Sequence, residues 1–322
     1  MGYRSRFSLV WLIAVLLVTT ATAQRHYYRP QVEDSKKFKF EITYDVSVPG
    51  DTRTIELTVV IARSIPGRQE IYDVEFSPKP ESIFAKDGTG YAQFVFFKAK
   101  KDVQIKIKGK AKLTRYDFET ARKKNKNDPA SQSDLKQFLK QETYIEKDDP
   151  LIKQIAAGIT GADRTVIVKN AFDYVVKNME YAGFKKRNRG ALKAAKEKKG
   201  DCTEYADLFV AICRAKNIPA RVVSGYGVRF DDVTPKHSWA EVYFEKYGWI
   251  PFDSTVGDSE NTFARNWAFE MLEPVYIRLS HTRNDKILDN HAFCAWHYWG
   301  DKITVKDSIK FKKISNTSGK TP

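Results

Sequence analysis

One cysteine stands where the sequence predicts the first turn of a helix. Cys202 follows a Gly-Asp pair, and apolar residues then recur at helical spacing, at Ala206, Phe209, Val210 and Cys213. At a helix N-terminus, unpaired backbone N–H groups and the positive end of the helix dipole favour the thiolate form of a cysteine. Cys202 is therefore a candidate nucleophile.

An imidazole and a carboxylate follow on a predicted β-hairpin. His237 begins one candidate strand and Asp253 follows the next, with a turn predicted near residues 245–248. The midpoint of His237 and Asp253 falls at Glu245, so the two side chains are expected within a residue or two of being cross-strand neighbours. Three separate elements thus supply a thiol, an imidazole and a carboxylate.

Alternation along this hairpin defines two faces. The first carries His237, Trp239, Glu241, Trp249 and Asp253, and the second is apolar, with Ala240, Val242, Phe244, Ile250 and Phe252. We expect the helix that starts at Cys202 to pack on the first face and to bring its thiol to His237 and Asp253.

Such a set can transfer acyl groups. A thiol attacks a carbonyl carbon when an imidazole takes its proton, and a carboxylate holds the imidazole in the required tautomer. The backbone N–H of Cys202 is the expected donor to the oxyanion. Tyr181 is a candidate side-chain donor, with a core position as its alternative, and Trp239 and Trp249 are candidate cleft residues.

The remaining cysteines and histidines favour neither a metal nor another cofactor. The three cysteines are separated by 11 and 81 residues, and the pair His291 and His297 lacks the usual spacing of zinc ligands. An odd number of cysteines leaves at least one free thiol, which we assign to Cys202. Cys213 and Cys294 are expected in the core, and a disulfide between them stays open.

The N-terminus has the pattern of a cleavable secretory signal. Arg4 and Arg6 precede an apolar run over residues 7–18, and small residues at 21–23 suit cleavage before Gln24. The run is short for a membrane span, so a secreted or periplasmic protein is expected. Without these two arginines, 53 basic residues face 40 acidic ones, a formal charge of +13.

A surface of this charge attracts anionic partners such as acidic polypeptides, cell-wall polymers or membrane headgroups, although it also serves solubility. No nucleic-acid-binding motif accompanies it.

Composition and periodicity divide the chain into two folded parts. Alternating apolar and polar residues predict a β-sandwich over 38–115, preceded by the signal at 1–23 and a polar leader at 24–37. A linker with short helices is predicted over 116–147, a catalytic domain over 148–314 and a polar tail over 315–322. Strands near residues 275–279, 293–299 and 303–314 are expected to complete the sheet of the catalytic domain.

Four stretches, in order, resemble the transglutaminase-like superfamily, which has a papain-related fold. They are GDCTEY from Gly200, NIPARVVSGY from Asn217, HSWAEVY from His237 and GWIPFDS from Gly248. The resemblance covers about residues 150–256. It implies an α+β core in which a helix bearing the cysteine packs on an antiparallel sheet, with a β-sandwich before it. It also implies Cys202 as nucleophile, His237 as base and Asp253 as the orienting acid.

Two functions fit these features. The first is an exported cysteine protease, amidohydrolase or acyltransferase that acts on peptides or proteins through a thioester. The positive charge makes acidic peptides or proteins a candidate substrate class. Hydrolysis is favoured over crosslinking. The second is a non-catalytic module whose core and sandwich dock an anionic cell-surface partner.

Overall fold

The computed structural model describes residues 34–118, 121, 132–184, 188–228, 236–259, 265, 268–269 and 271–315. The predicted signal at 1–23, most of the polar leader, the tail after residue 315 and the basic loop residues 185–187 lie outside the described residues. Within the described part of the chain, no helix is long and apolar enough to cross a membrane.

The N-terminal part is a sandwich of two four-stranded antiparallel sheets. Its strands are β1 (Ser35–Ser47), β2 (Thr52–Ile61), β3 (Gln69–Ser77), β4 (Ser82–Lys86), β5 (Thr89–Ala99), β6 (Val103–Thr114), β15 (Cys294–Gly300) and β16 (Thr304–Lys313). The sheet orders are β16-β1-β6-β3 and β15-β2-β5-β4. Alternate residues such as Phe40, Leu57 and Ile107 point between the sheets and form one buried cluster.

The last two strands correct one sequence expectation. β16 pairs with β1 over ten registered positions from Phe38–Lys313 to Ser47–Thr304, and β15 pairs with β2. The prediction that these strands complete the catalytic sheet is therefore wrong. Alternation identifies a strand, but it does not identify the partner, because β1 and β2 present open edges more than two hundred residues earlier in the chain.

The central part combines helices with a second antiparallel sheet. Its elements are β7 (Tyr116–Asp117), α1 (Gln132–Gln137), α2 (Pro150–Gly158), α3 (Arg164–Asn178), β8 (Glu180–Tyr181), α4 (Ala191–Glu197), β9 (Lys199–Gly200), α5 (Cys202–Ala215), β10 (Ala220–Gly227), β11 (Lys236–Phe244), β12 (Gly248–Phe252), α6 (Ser254–Gly257), β13 (Met271–Leu272) and β14 (Tyr276–Ser280). The order β12-β11-β10-β14 defines what we name the core sheet. The predicted α+β class is confirmed.

Helix α5 packs on the core sheet, although on the face opposite to the one expected. The rings of Phe209 in α5 and Phe252 in β12 are 5.7 Å apart, and Ala240 and Val242 share their buried cluster. The apolar face therefore takes the helix, as hydrophobic burial requires. The other face, which α5 does not cover, carries the polar side chains of His237 and Glu241.

A buried ionic cluster joins the sandwich to this polar face. Glu241 of β11 accepts hydrogen bonds from Arg221 of β10 at 2.8 Å and from Arg68, which lies between β2 and β3, at 2.5 Å. Arg278 of β14 lies 3.7 Å from the same carboxylate. We name these four residues the arginine cluster. Although burial opposes ionisation, the three guanidinium groups hold the pKa of Glu241 far below its usual range.

Candidate active site

The first turn of α5 fixes the position of Cys202. Asp201 caps the helix and accepts a hydrogen bond from the Thr203 N–H at 2.8 Å, while Glu204 accepts one from the Asp201 N–H at 3.0 Å. This reciprocal capping box engages the N–H groups around the cysteine. The Thr203 hydroxyl lies 3.4 Å from the Ser238 hydroxyl, so the helix start is held beside the start of β11.

This end-on position explains how the thiol meets the imidazole. His237 points to the face that α5 does not cover, but it is the second residue of β11 and lies at the end of the sheet where α5 begins. The Cys202 sulfur lies near enough to the His237 ring to add to the raised pKa of the imidazole. The Cys202 sulfur and the His237 ring thus approach each other at the end of the sheet, and not across one of its faces.

Asp253 completes the arrangement. Its Oδ2 atom accepts a hydrogen bond from His237 Nε2 at 2.7 Å, and its Oδ1 atom accepts one from the Val256 N–H at 3.1 Å as the N-cap of α6. Because Nε2 is engaged with Asp253, Nδ1 is the imidazole nitrogen left for Cys202. The structure therefore brings Cys202, His237 and Asp253 together, each less than one-tenth exposed.

The charges of this group support one another. Burial alone disfavours an imidazolium, yet the Asp253 carboxylate and the Cys202 sulfur raise the pKa of His237 to about 10. Burial likewise opposes ionisation of Asp253, but His237, Tyr276 and the Val256 N–H hold the pKa of Asp253 below its usual value. These contacts favour a charged imidazole beside the ionised Asp253 carboxylate.

The three candidate cleft residues lie in different surroundings. Tyr181 is half exposed beside Cys202, whose charge adds to burial in raising the pKa of the Tyr181 phenol. Trp239 is buried and stacks on His237, with ring centroids 6.2 Å apart. Trp249 instead packs on the Arg221 guanidinium, 3.9 Å from its ring centroid. Trp249 thus belongs with the arginine cluster and not with the cleft.

Comparisons with known proteins agree with this geometry. The family model of the transglutaminase-like superfamily matches residues 153–254, a range that contains Cys202, His237 and Asp253. The chain contains a transglutaminase-like core. The match agrees with the resemblance that the sequence motifs carry.

Two curated proteins extend the comparison. An uncharacterised protein of Haemophilus influenzae is 22% identical in an alignment of 357 positions that covers 93% of this chain and 96% of that protein. The uncharacterised protein YebA of Bacillus subtilis is 36% identical in an alignment of 73 positions that covers 19% of this chain and 10% of YebA. The solved structure of a candidate cysteine protease from Cytophaga hutchinsonii is 19% identical with a TM-score of 0.61, and covers 89% of this chain and 93% of that one. The fold outside the transglutaminase-like core is therefore shared as well.

Sequence reasoning missed one residue of the site. Tyr276 in β14 donates a hydrogen bond from its hydroxyl to Asp253 Oδ2 at 2.8 Å. Its ring also packs edge-on against Trp239, with centroids 5.2 Å apart. The sequence predicts the strand that contains Tyr276 but not its partner. The pairing of β14 with β10 places Tyr276 at the transglutaminase-like site.

The other cysteines lie away from the site. All three cysteines are free, so the open question of a disulfide between Cys213 and Cys294 is answered in the negative. Cys213 is a buried residue of α5, and Cys294 begins β15 in the sandwich. Burial raises the pKa of Cys294 to about 12 and that of Cys213 further still. Neither thiol is expected to react readily at neutral pH.

The His237 contacts make a prediction about stability and pH. The folded-state pKa of His237, about 10, lies above the unfolded value of about 6.5. The stabilisation from its charged form is therefore complete below about pH 6.5 and is lost as the pH rises toward 10. We expect the difference in unfolding free energy between the natural protein and His237→Gln to shrink over this interval, as measured by urea unfolding at several pH values. A difference that grows with pH would show that His237 is buried in its neutral form.

Proposed function

We propose that the protein is an exported cysteine enzyme that cleaves amide bonds of peptides or proteins through a thioester. The observation that carries the proposal is the buried hydrogen bond between His237 and Asp253, with the Cys202 sulfur close enough to add to the raised pKa of His237. A transglutaminase-like core with these three residues in register supports an acyl-transfer reaction. The predicted signal at the N-terminus supports export.

The reaction follows from the positions of the atoms. The Cys202 sulfur attacks the carbonyl carbon of the amide, and the carbonyl oxygen becomes an oxyanion near the Cys202 N–H at the start of α5. His237 gives the proton on Nδ1 to the amide nitrogen, the C–N bond breaks, and the amine leaves. Cys202 then holds the acyl group as a thioester. Asp253 keeps the imidazole oriented throughout.

The second half of the reaction restores the enzyme. His237 removes a proton from water, the hydroxide oxygen attacks the thioester carbon, and the C–S bond breaks to release the acid and the Cys202 thiolate. We place water rather than an amine as acceptor because the positive surface of this protein repels protonated lysine side chains. The same charge favours acidic segments in the substrate. Tyr181, beside Cys202, is the candidate second donor to the oxyanion.

The test uses the mature protein and its Cys202→Ala variant on a mixture of folded and unfolded proteins in water enriched in oxygen-18. We expect the natural protein to generate new C-termini that carry the heavy oxygen, and the variant to generate none. A fluorescent primary amine in the same mixture reports transamidation by its incorporation into protein. Cleavage that persists in Cys202→Ala would contradict the proposal. Incorporation of the amine without incorporation of heavy oxygen would show that the enzyme catalyses crosslinking and not hydrolysis.

Tyr276 gives a prediction specific to this structure. Tyr276→Phe removes one hydrogen bond to the ionised Asp253 while keeping the ring that packs on Trp239. A hydrogen bond to a charged group contributes about 1.5–3 kcal/mol, so we expect kcat to fall about tenfold or more with little change in KM. The acidic limb of the pH–rate profile should also move to higher pH, since Asp253 loses a donor to its charged form. An unchanged profile would show that Tyr276 serves packing alone.

A further inference from the structure

Three chain turns meet at one end of the sandwich. They connect β1 to β2, β5 to β6 and β15 to β16. The strand registers bring these turns together, because Val46 at the end of β1 pairs with Val103 at the start of β6, and Ser47 pairs with Thr304 at the start of β16. We name this end the sandwich tip and define it as residues 48–54, 97–102 and 298–303.

The sandwich tip lies away from the transglutaminase-like core. The sandwich contacts the core sheet through the opposite ends of two strands, where Gln69 at the start of β3 bonds to the Arg278 carbonyl and Thr89 at the start of β5 lies 3.1 Å from the Ser280 hydroxyl. Arg68 of the arginine cluster is at that same end. A further contact lies along β16, where Asp307 accepts a hydrogen bond from Lys236 of β11 at 2.8 Å. These contacts involve residues outside the sandwich tip.

Large aromatic side chains are exposed at the tip. Phe97 is 75% exposed and Trp299 is 51% exposed. Both pair with Thr54 of β2, from opposite sides, so the two rings stand on the same face of the sheet. Tyr298 beside them is 37% exposed. A folded protein gains nothing from apolar rings held in water, and such patches mark interaction sites.

Basic side chains surround these rings. The tip contains five exposed basic residues, Arg53, Lys98, Lys100, Lys101 and Lys302, and none of them forms an ion pair with another described residue. Its three acidic residues are Asp51, Asp102 and Asp301. Two of these serve the turns themselves, since Asp102 accepts a hydrogen bond from the Val48 N–H and Asp301 accepts one from the Asp51 N–H. With five basic and three acidic residues, the tip carries a formal charge of +2.

We propose that the sandwich tip binds the surface of an anionic lipid bilayer. The rings of Phe97 and Trp299 would enter the boundary between headgroups and acyl chains, where aromatic residues partition, and the lysines would contact the anionic headgroups. A soluble polyanion would neutralise the lysines but would leave the apolar rings in water. The combination of rings and lysines on one projecting end therefore favours a bilayer.

The test is binding of the mature protein to sedimented vesicles. We expect it to sediment with vesicles of equimolar phosphatidylcholine and phosphatidylglycerol, to bind pure phosphatidylcholine vesicles weakly, and to lose affinity as salt is raised. Phe97→Ser with Trp299→Ser should weaken binding about tenfold. Lys100→Glu with Lys101→Glu should weaken it about tenfold or more, because each lysine near an anionic surface contributes about one kcal/mol.

Matched variants in the transglutaminase-like core separate the tip from general effects. Phe184→Ser removes a ring of similar exposure, 49%, and Lys177→Glu with Lys246→Glu makes the same change of charge. These variants, and Cys202→Ala, should keep vesicle binding, and all should unfold at the temperature of the natural protein. Absence of binding to the anionic vesicles would overturn the proposal. Equal losses of vesicle binding in the tip variants and the control variants would also overturn it. The same holds if the protein binds soluble polyglutamate through the tip lysines but does not bind vesicles.

Discussion

Replacing His237 with alanine is expected to lower kcat/KM for amide hydrolysis at least about a thousandfold. His237 is bonded to the Asp253 carboxylate and lies near enough to the Cys202 sulfur for the sulfur to add to its raised pKa. Without the imidazole, the thiol has no base, the leaving amine has no acid, and Asp253 becomes a buried carboxylate that retains Tyr276 and the Val256 N–H. Asp253→Asn should also cause a large loss, because an amide at this position no longer favours the charged imidazole.

The control is His291→Ala, which changes an exposed imidazole outside the site and should leave kcat/KM unchanged. The combined variant Cys202→Ala with His237→Ala should be no less active than Cys202→Ala alone, since the two residues act as a unit. Additive losses in the double variant would mean that His237 acts on something other than the Cys202 sulfur.

Replacing Glu241 with alanine is expected to cost about 3–5 kcal/mol of unfolding free energy. The change removes the one carboxylate of the arginine cluster and leaves Arg68, Arg221 and Arg278 close together with little access to water. The three like charges then repel one another and lack a carboxylate partner, although Arg68 keeps the Trp249 carbonyl and Arg278 keeps the His281 ring as hydrogen-bond partners. Since Arg68 comes from the sandwich, the loss should also loosen its attachment to the core sheet. Urea unfolding at neutral pH measures the effect.

Glu245→Ala is the matched control, because Glu245 lies on the turn after β11 and its side chain is 81% exposed, with Arg164 3.8 Å away. Exposed pairs of this kind contribute little, so the control should lose less than about one kcal/mol. If the two variants lost equal stability, the arginine cluster would not be a structural junction.

The sequence motifs were sufficient to choose three candidate site residues that the fold places near one another. Cys202 follows a helix break, and the spacing of His237 and Asp253 about the turn places both near one end of the hairpin. These are local features, decided by capping, alternation and turn position. The strands of the sandwich were predictable for the same reason.

The features that the sequence did not reveal are all non-local. Alternation shows that a strand has two faces but not that α5 would cover the face of Phe252, and it does not show that β16 pairs with β1. Tyr276 and Arg68 reach their partners only through the placement of whole strands. The assignment of Trp249 to the cleft failed because its face of the sheet is shared with the arginine cluster, which binds its ring.

The most direct test of the proposed chemistry is the reactivity of Cys202 toward iodoacetamide as a function of pH, with modified peptides located by mass spectrometry. Cys213 and Cys294 serve as internal controls, since burial raises the pKa of both thiols. We expect Cys202 to react selectively at pH values where an ordinary thiol is protonated, and His237→Ala to abolish this advantage. A Cys202 that stays unreactive in the folded protein, or that reacts as an ordinary thiol whether or not His237 is present, would contradict a thiolate–imidazolium pair.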